Sequence, residues 1–130
     1  MRAVAVSLVG IALCGSVMTA QSAGDLAKGD AAKGKTAYAD RRCAMCHRTD
    51  KDDTKGGKLS TILADHVGKL SPAEIKSWLT DTATMEAKLP KPPVAKMSAF
   101  VKNLQPPLSE AEVANLVAYL RTLAAKPGTP

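Results

Sequence analysis

Aromatic side chains are scarce in this sequence. Its 130 residues hold one Trp, two Tyr and one Phe, placed at Trp78, Tyr38, Tyr119 and Phe100. A chain of this length forms one domain and buries only a modest share of its surface. So few large apolar side chains leave the centre of such a domain underfilled unless a sizeable apolar cofactor occupies it. Strand-type alternation is missing along the whole chain, which makes the class all-α and removes the βαβ context in which C-x-x-C serves as a thioredoxin-like redox pair. Histidine is confined to His47 and His66, and cysteine to Cys14, Cys43 and Cys46. No basic helix face is interleaved with aromatics, so nucleic acid is not an expected partner. Internal repeats and low-complexity domains are absent.

Long apolar runs are missing too, except at the start. Arg2 is followed by an apolar stretch from Ala3 to about Met18, and then by small and polar residues. That is the layout of a secretory signal peptide, too short and too polar at its end for a comfortable membrane span. Cleavage is expected between about Ala20 and Ala23, giving a signal over residues 1–23 and one domain over 24–130. A retained N-terminal anchor and a lipoprotein reading of Cys14 are the alternatives. Leu13, which is not a small residue, speaks against the second. Removal of the signal takes Cys14 away and leaves Cys43 and Cys46 as the only thiols.

The remaining stretch reads as helices joined by polar loops. Asp30 is an acceptable N-cap for a helix reaching Arg41. Residues 48–58 form a Gly-containing loop, and LSTILADHV predicts a short helix ending at Gly68. Ser71, Pro72 and Glu74 make a capping box with proline at the first helical position. Ile75, Trp78, Leu79 and Thr82 follow at helical spacing. Five prolines between residues 88 and 107 forbid a continuous helix there and predict an ordered loop or extended strap. A second capping box, Ser109 and Glu112, opens the last helix. Val113, Leu116, Val117, Leu120 and Leu123 give that helix one apolar stripe.

What is present in place of all this scarcity is CAMCH, residues 43–47. A zinc site needs four ligands in a tetrahedron, and adjacent Cys46 and His47 suit one closed site poorly. C-x-x-C-H is also the attachment motif of a c-type haem. Two thiols about one helical turn apart reach the two vinyl groups on one porphyrin edge, and the following histidine offers its imidazole to the iron. Export fits, because this haem class is usually matured outside the cytoplasm. The iron's other face then needs a ligand, and the candidates are Met45, Met85, Met97 and His66. Met45 lies within the attachment motif. Met97 sits in a strap stiffened by Pro90, Pro92 and Pro93, which favours it, because a stiff strap loses little entropy on ligation. Met85 and His66 stay open.

The chain resembles the small, soluble class I c-type cytochromes from about Asp25 to Ala125. GDAAKGKTAYADRRCAMCH is similar to that family's first helix and haem motif. Gly34 and Tyr38 stand at the glycine and aromatic that pack on its last helix, and LVAYL at 116–120 resembles that last helix. KMSAF at 96–100 resembles the methionine-ligand loop, with Met97 as axial sulfur. The usual Gly-Pro-x-Leu stretch is replaced by GGKL at 56–59, which lacks the proline and leaves open which carbonyl accepts the proximal imidazole N–H. The resemblance implies three to five helices around one covalent haem c held by Cys43, Cys46, His47 and Met97, with His47 and Met97 on the iron. It implies a periplasmic one-electron carrier that is not an enzyme. A cytochrome subunit held by a dehydrogenase or oxidase is the alternative. A ligand-binding or peroxidase-like haem protein is a third class, which needs Met97 off the iron. Trp78 and Tyr38 are candidates to border the ring or its propionates, or else pack in the core.

Charge bears on partners. The full chain is formally +6, and loss of Arg2 leaves about +5. Lys88, Lys91, Lys96 and Lys102 flank the methionine strap and suit an acidic redox partner, while Asp50, Asp52 and Asp53 form a small acidic patch. No stable membrane insertion is expected, and the protein is a monomer or a cytochrome subunit.

Overall fold

Asp30 starts the first helix with its own side chain. The computed structural model describes residues 28–50, 53, 57 and 62–124. The expected signal over 1–23 lies outside them. The Asp30 carboxylate accepts from the Ala32 and Lys33 amides at 2.8 and 3.0 Å, satisfying two of the donors a helix start leaves unpaired. Helix α1 then runs Ala31–Asp40. A 3-10 turn covers Cys43–Met45. It is followed by α2 (Leu63–Val67), α3 (Pro72–Thr80), α4 (Thr82–Ala87), α5 (Met97–Lys102) and α6 (Glu110–Ala124). Apart from one parallel bridge between Arg48 and Ile62, the described residues hold no strand. None of their helices is long and apolar enough to cross a membrane.

Six α-helices among the described residues exceed the expected three to five, and two local causes account for the difference. Asp81, at φ −131° and ψ 49°, leaves the helical region and divides α3 from α4. Residues 94–105 are free of proline, so α5 forms inside the segment expected to be a loop or extended strap. Both capping boxes are made. Glu74 N donates to Ser71 Oγ at 3.2 Å while Ser71 N donates to Glu74 Oε2 at 2.7 Å. Ser109 and Glu112 repeat the pattern at 3.2 and 3.0 Å.

The predicted stripe of α6 is the core. Val113, Leu116, Val117, Leu120 and Leu123 are buried, and Tyr38, Val67, Ile75, Leu79 and Tyr119 join them. Burying such aliphatic side chains contributes about 1.5–3 kcal/mol each. The most extensive helix pairing is α1 on α6, and small residues make it possible. A Cβ on Gly34 would collide with the Asn115 carbonyl and lie 2.7 Å from Tyr119 Cβ. Asn115 Oδ1 accepts from Asp30 N at 2.8 Å, fixing the register of the pair. The Tyr38 and Tyr119 rings meet with centroids 5.5 Å apart, tilted by 59°, a favourable aromatic arrangement.

Candidate functional site

The end of α1 delivers CAMCH. Arg41 N donates to Ala37 O and Arg42 N to Ala39 O, both at 2.9 Å. Arg42 then turns through the left-handed region at φ 56°, which costs a side-chain-bearing residue roughly 1–2 kcal/mol. The reversal starts the 3-10 turn, in which Cys46 N and His47 N both donate to Cys43 O, at 3.3 and 3.0 Å. Cys43 and Cys46 therefore sit on one turn, half-buried and not joined to each other. Burial pushes the Cys43 thiol up to about 11, so the unmodified chain holds it protonated.

His47 follows with its backbone already engaged. Tyr38 Oη donates to the His47 carbonyl at 2.8 Å. Burial raises the Tyr38 phenol above its ordinary value, which keeps it a neutral donor. The imidazole is different. Its Nδ1 is buried and has no hydrogen-bond partner among the described residues. Desolvation lowers its basicity, so the ring is neutral near pH 7 and retains a lone pair for a metal. The next side chain, Arg48, also buries an unpartnered nitrogen, Nε. A buried guanidinium N–H calls for an acceptor, and a carboxylate suits it.

The loop behind the motif is held against it backbone to backbone. Gly57 N donates to Ala44 O at 2.9 Å. A Cβ on Gly57 would collide with the Met45 carbonyl and lie 2.8 Å from Cys46 Cα, so only glycine fits. Gly56, Lys58 and Leu59, the rest of the GGKL stretch, lie outside the described residues. Thr49 N and Oγ1 donate to Asp53 Oδ2 at 3.0 and 3.1 Å. Asp53 thus belongs to the loop's own hydrogen bonding, and Asp52 lies outside the described residues. The start of α2 completes the brace, with Leu63 N donating to Arg48 O at 2.9 Å and Ala64 N to Thr49 O at 3.1 Å.

Met97 is the first residue of α5 and is half-buried. Together with Cys43 and Ala44, it packs against the buried cluster, so ligand candidate and attachment motif share one core. Met45 is 62% exposed and His66 is exposed on α2. Met85 is half-buried on α4, with Lys88 Nζ 3.8 Å from its sulfur. Trp78 is half-buried on α3. Lys88, Lys91, Lys96 and Lys102 are all exposed, and Val94 among them is 99% exposed. An open pocket lined by Val67, Leu70, Pro72 and Arg121 shares no residue with this site.

Several contacts around the site carry no sequence signal. Glu86 reaches from α4 to Ser98, and Arg41 reaches from the end of α1 to Glu112 and to Pro106 O. These are long-range pairs of ordinary polar residues. Only Gly57 left a trace, as one of two adjacent glycines in a polar loop.

The residues fit a haem. Two thiols on one turn suit two vinyl groups, a buried neutral imidazole suits the iron, and the Arg48 guanidinium suits a propionate. Among the described residues, no group of three or more His, Cys, Asp or Glu side chains could hold a metal ion by itself. The family model for cytochrome c matches residues 31–124, from the first residue of α1 to the last of α6. No curated protein and no solved structure matches the chain.

Proposed function

The chain belongs to the cytochrome c family and carries one covalently attached haem c, and from that premise we propose that it is a diffusible periplasmic one-electron carrier. In this reading Cys43 and Cys46 form the thioethers, and His47 and Met97 ligate the iron. The observation that carries it is the state of CAMCH: two thiols on one turn and not bridged by a disulfide, beside an imidazole whose buried Nδ1 has no hydrogen-bond partner among the described residues. The bound haem supplies a one-electron Fe(III)/Fe(II) couple, its potential raised by a His/Met ligand pair relative to harder ligands.

The polypeptide binds, orients and insulates. Tyr38 fixes the His47 backbone, and Gly57 backs the turn that bears the thiols. With His47 and Met97 both holding the iron, a substrate would find no coordination site, so the protein would make and break no substrate bond. The apolar run near the N-terminus, read as a signal peptide, supports a periplasmic location. The exposed lysines of the strap suit an acidic redox partner, whose encounter they accelerate. Full exposure of Val94 among those lysines favours a second reading, a cytochrome subunit held by a dehydrogenase or oxidase. Co-purification of the untagged protein with a catalytic subunit would select it.

The ligand set is tested by absorption. The ferric protein should show a thioether-to-iron band near the red end of the spectrum, and Met97→Ala should abolish it. Persistence of the band in that variant would move the ligand elsewhere, with Met85 the next candidate.

A further inference from the structure

We propose that Glu86 is a positioning residue for the axial methionine, a clamp that holds the Met97 segment in ligating position; the inference rests on Met97 being the iron ligand. Helix α5 begins at Met97, and its N-cap residue, Lys96, gives it no side-chain hydrogen bond. A lysine cannot accept the helix's free amide protons. The missing acceptor comes from another helix. The Glu86 carboxylate accepts from Ser98 N through Oε1 at 3.0 Å and from Ser98 Oγ through Oε2 at 2.6 Å. Both carboxylate oxygens are thus committed to the residue that follows Met97.

The position of this clamp gives it its effect. Glu86 and Ser98 enclose the strap, residues 87–97, and tie its two ends together. A thioether is a weak, neutral ligand that competes with water and with the strap's own lysines, Lys88, Lys91 and Lys96. How often it leaves the iron depends on how freely its segment moves. Two hydrogen bonds to a charged acceptor remove much of that freedom. They also place negative charge at the positive end of the short helix that carries the sulfur. The proline rings restrict the strap internally. The clamp joins that restricted strap to the rest of the fold.

The test is competition for the iron by added imidazole in the ferric holoprotein, read as loss of the thioether band. Far-UV circular dichroism is recorded in the same samples. Glu86→Ala should bind imidazole about tenfold more tightly than the native chain, because two charge-assisted bonds no longer hold the competing sulfur. Ser98→Ala, which removes one donor, should give a smaller increase of the same sign. Ser98→Thr should restore native behaviour. The two alanine changes combined should not add, because they break the same contact. Should Glu86→Ala fail to fold, the Ser98 pair decides alone. Native imidazole affinity in the alanine variants overturns the proposal, as does loss of the band only together with helical signal. A native ferric spectrum without the thioether band refutes the underlying ligand assignment instead, and the clamp falls with it.

Discussion

Adding one methyl group at Gly34 sets two effects of opposite sign against each other. Gly34 lies inside α1, where alanine is the better helix former by about 0.5–1 kcal/mol. If local propensity decided the outcome, Gly34→Ala would stabilise the protein. But the new Cβ would collide with the Asn115 carbonyl and stand 2.7 Å from Tyr119 Cβ. Both neighbours belong to α6, and a backbone carbonyl in a helix cannot rotate aside as a side-chain end can. Overpacking a filled site costs about 1–3 kcal/mol, with the upper part applying where backbone must move. The collision wins, and a net loss of about 1–2 kcal/mol remains. For a domain of this size each kcal/mol shifts Tm by about 4–8 °C, so thermal unfolding of the holoprotein followed by circular dichroism should show a fall of roughly 4–16 °C. Gly68 is the control. It has φ −64° and ψ −20°, and a Cβ there would lie 3.6 Å from Ala124 Cβ, an ordinary contact. Gly68→Ala should therefore raise stability by about 0.4–1 kcal/mol through the unfolded chain. Equal or greater stability in Gly34→Ala would refute the claim that α1 and α6 touch through backbone.

Tyr38→Phe removes the donor at 2.8 Å from the His47 carbonyl. It should cost about 1–3 kcal/mol, seen as a lower urea midpoint with an unchanged slope; an unmoved midpoint would show that the bond contributes nothing. Glu112 is held at about 2, against an ordinary 4.5, by the Ser109 amide first and then by Arg41. Its folded state resists protonation, so its contribution is complete above the unfolded value and is lost as pH falls towards the folded one. Urea midpoints of the native chain and Glu112→Gln should converge as pH drops from about 5 to about 2, and a constant gap would exclude this origin. Electron transfer to an acidic partner should slow with added salt, given four exposed lysines on and beside the strap. A flat response would dismiss them as a docking surface.

Legibility in the sequence followed the range of the interactions. Capping boxes act over three residues and apolar stripes over one helix, and Asp30, Ser71, Ser109 and the α6 stripe all stand where their patterns place them. The division of α3 from α4 at Asp81 was not legible, because helical spacing continues through Thr82. The short helix α5 was masked by the prolines on either side of it, at 90, 92, 93, 106 and 107, although none falls between 93 and 106. Hardest to foresee were the contacts over distance. Nothing local to Glu86 announces Ser98, and nothing local to Arg41 announces Glu112, because tertiary placement makes those pairs. The composition, by contrast, spoke early: with so few large side chains, the described core is largely the stripe of α6 and what packs on it.

That economy explains why one end of α1 carries so much. Tyr38 packs on Tyr119 of α6 and donates to the His47 carbonyl, so a single ring couples the helix pair to the attachment motif. Three residues later Arg41 donates through Nε to Glu112 Oε1 at 2.9 Å and through a terminal nitrogen to Pro106 O at 2.8 Å. The second bond holds the end of the proline-rich segment to the same helix. Motif and segment are therefore both referenced to the α1–α6 pair, which touches through glycine and resists sliding. Holding both to one stiff pair would let the polypeptide fix the two proposed iron ligands, His47 and Met97, without a large core between them. It also means that a perturbation at Gly34, outside the CAMCH turn and outside α5, should disturb the iron's ligands and the fold together. A perturbation at Glu86, which joins only the two ends of the strap, should disturb the ligands alone.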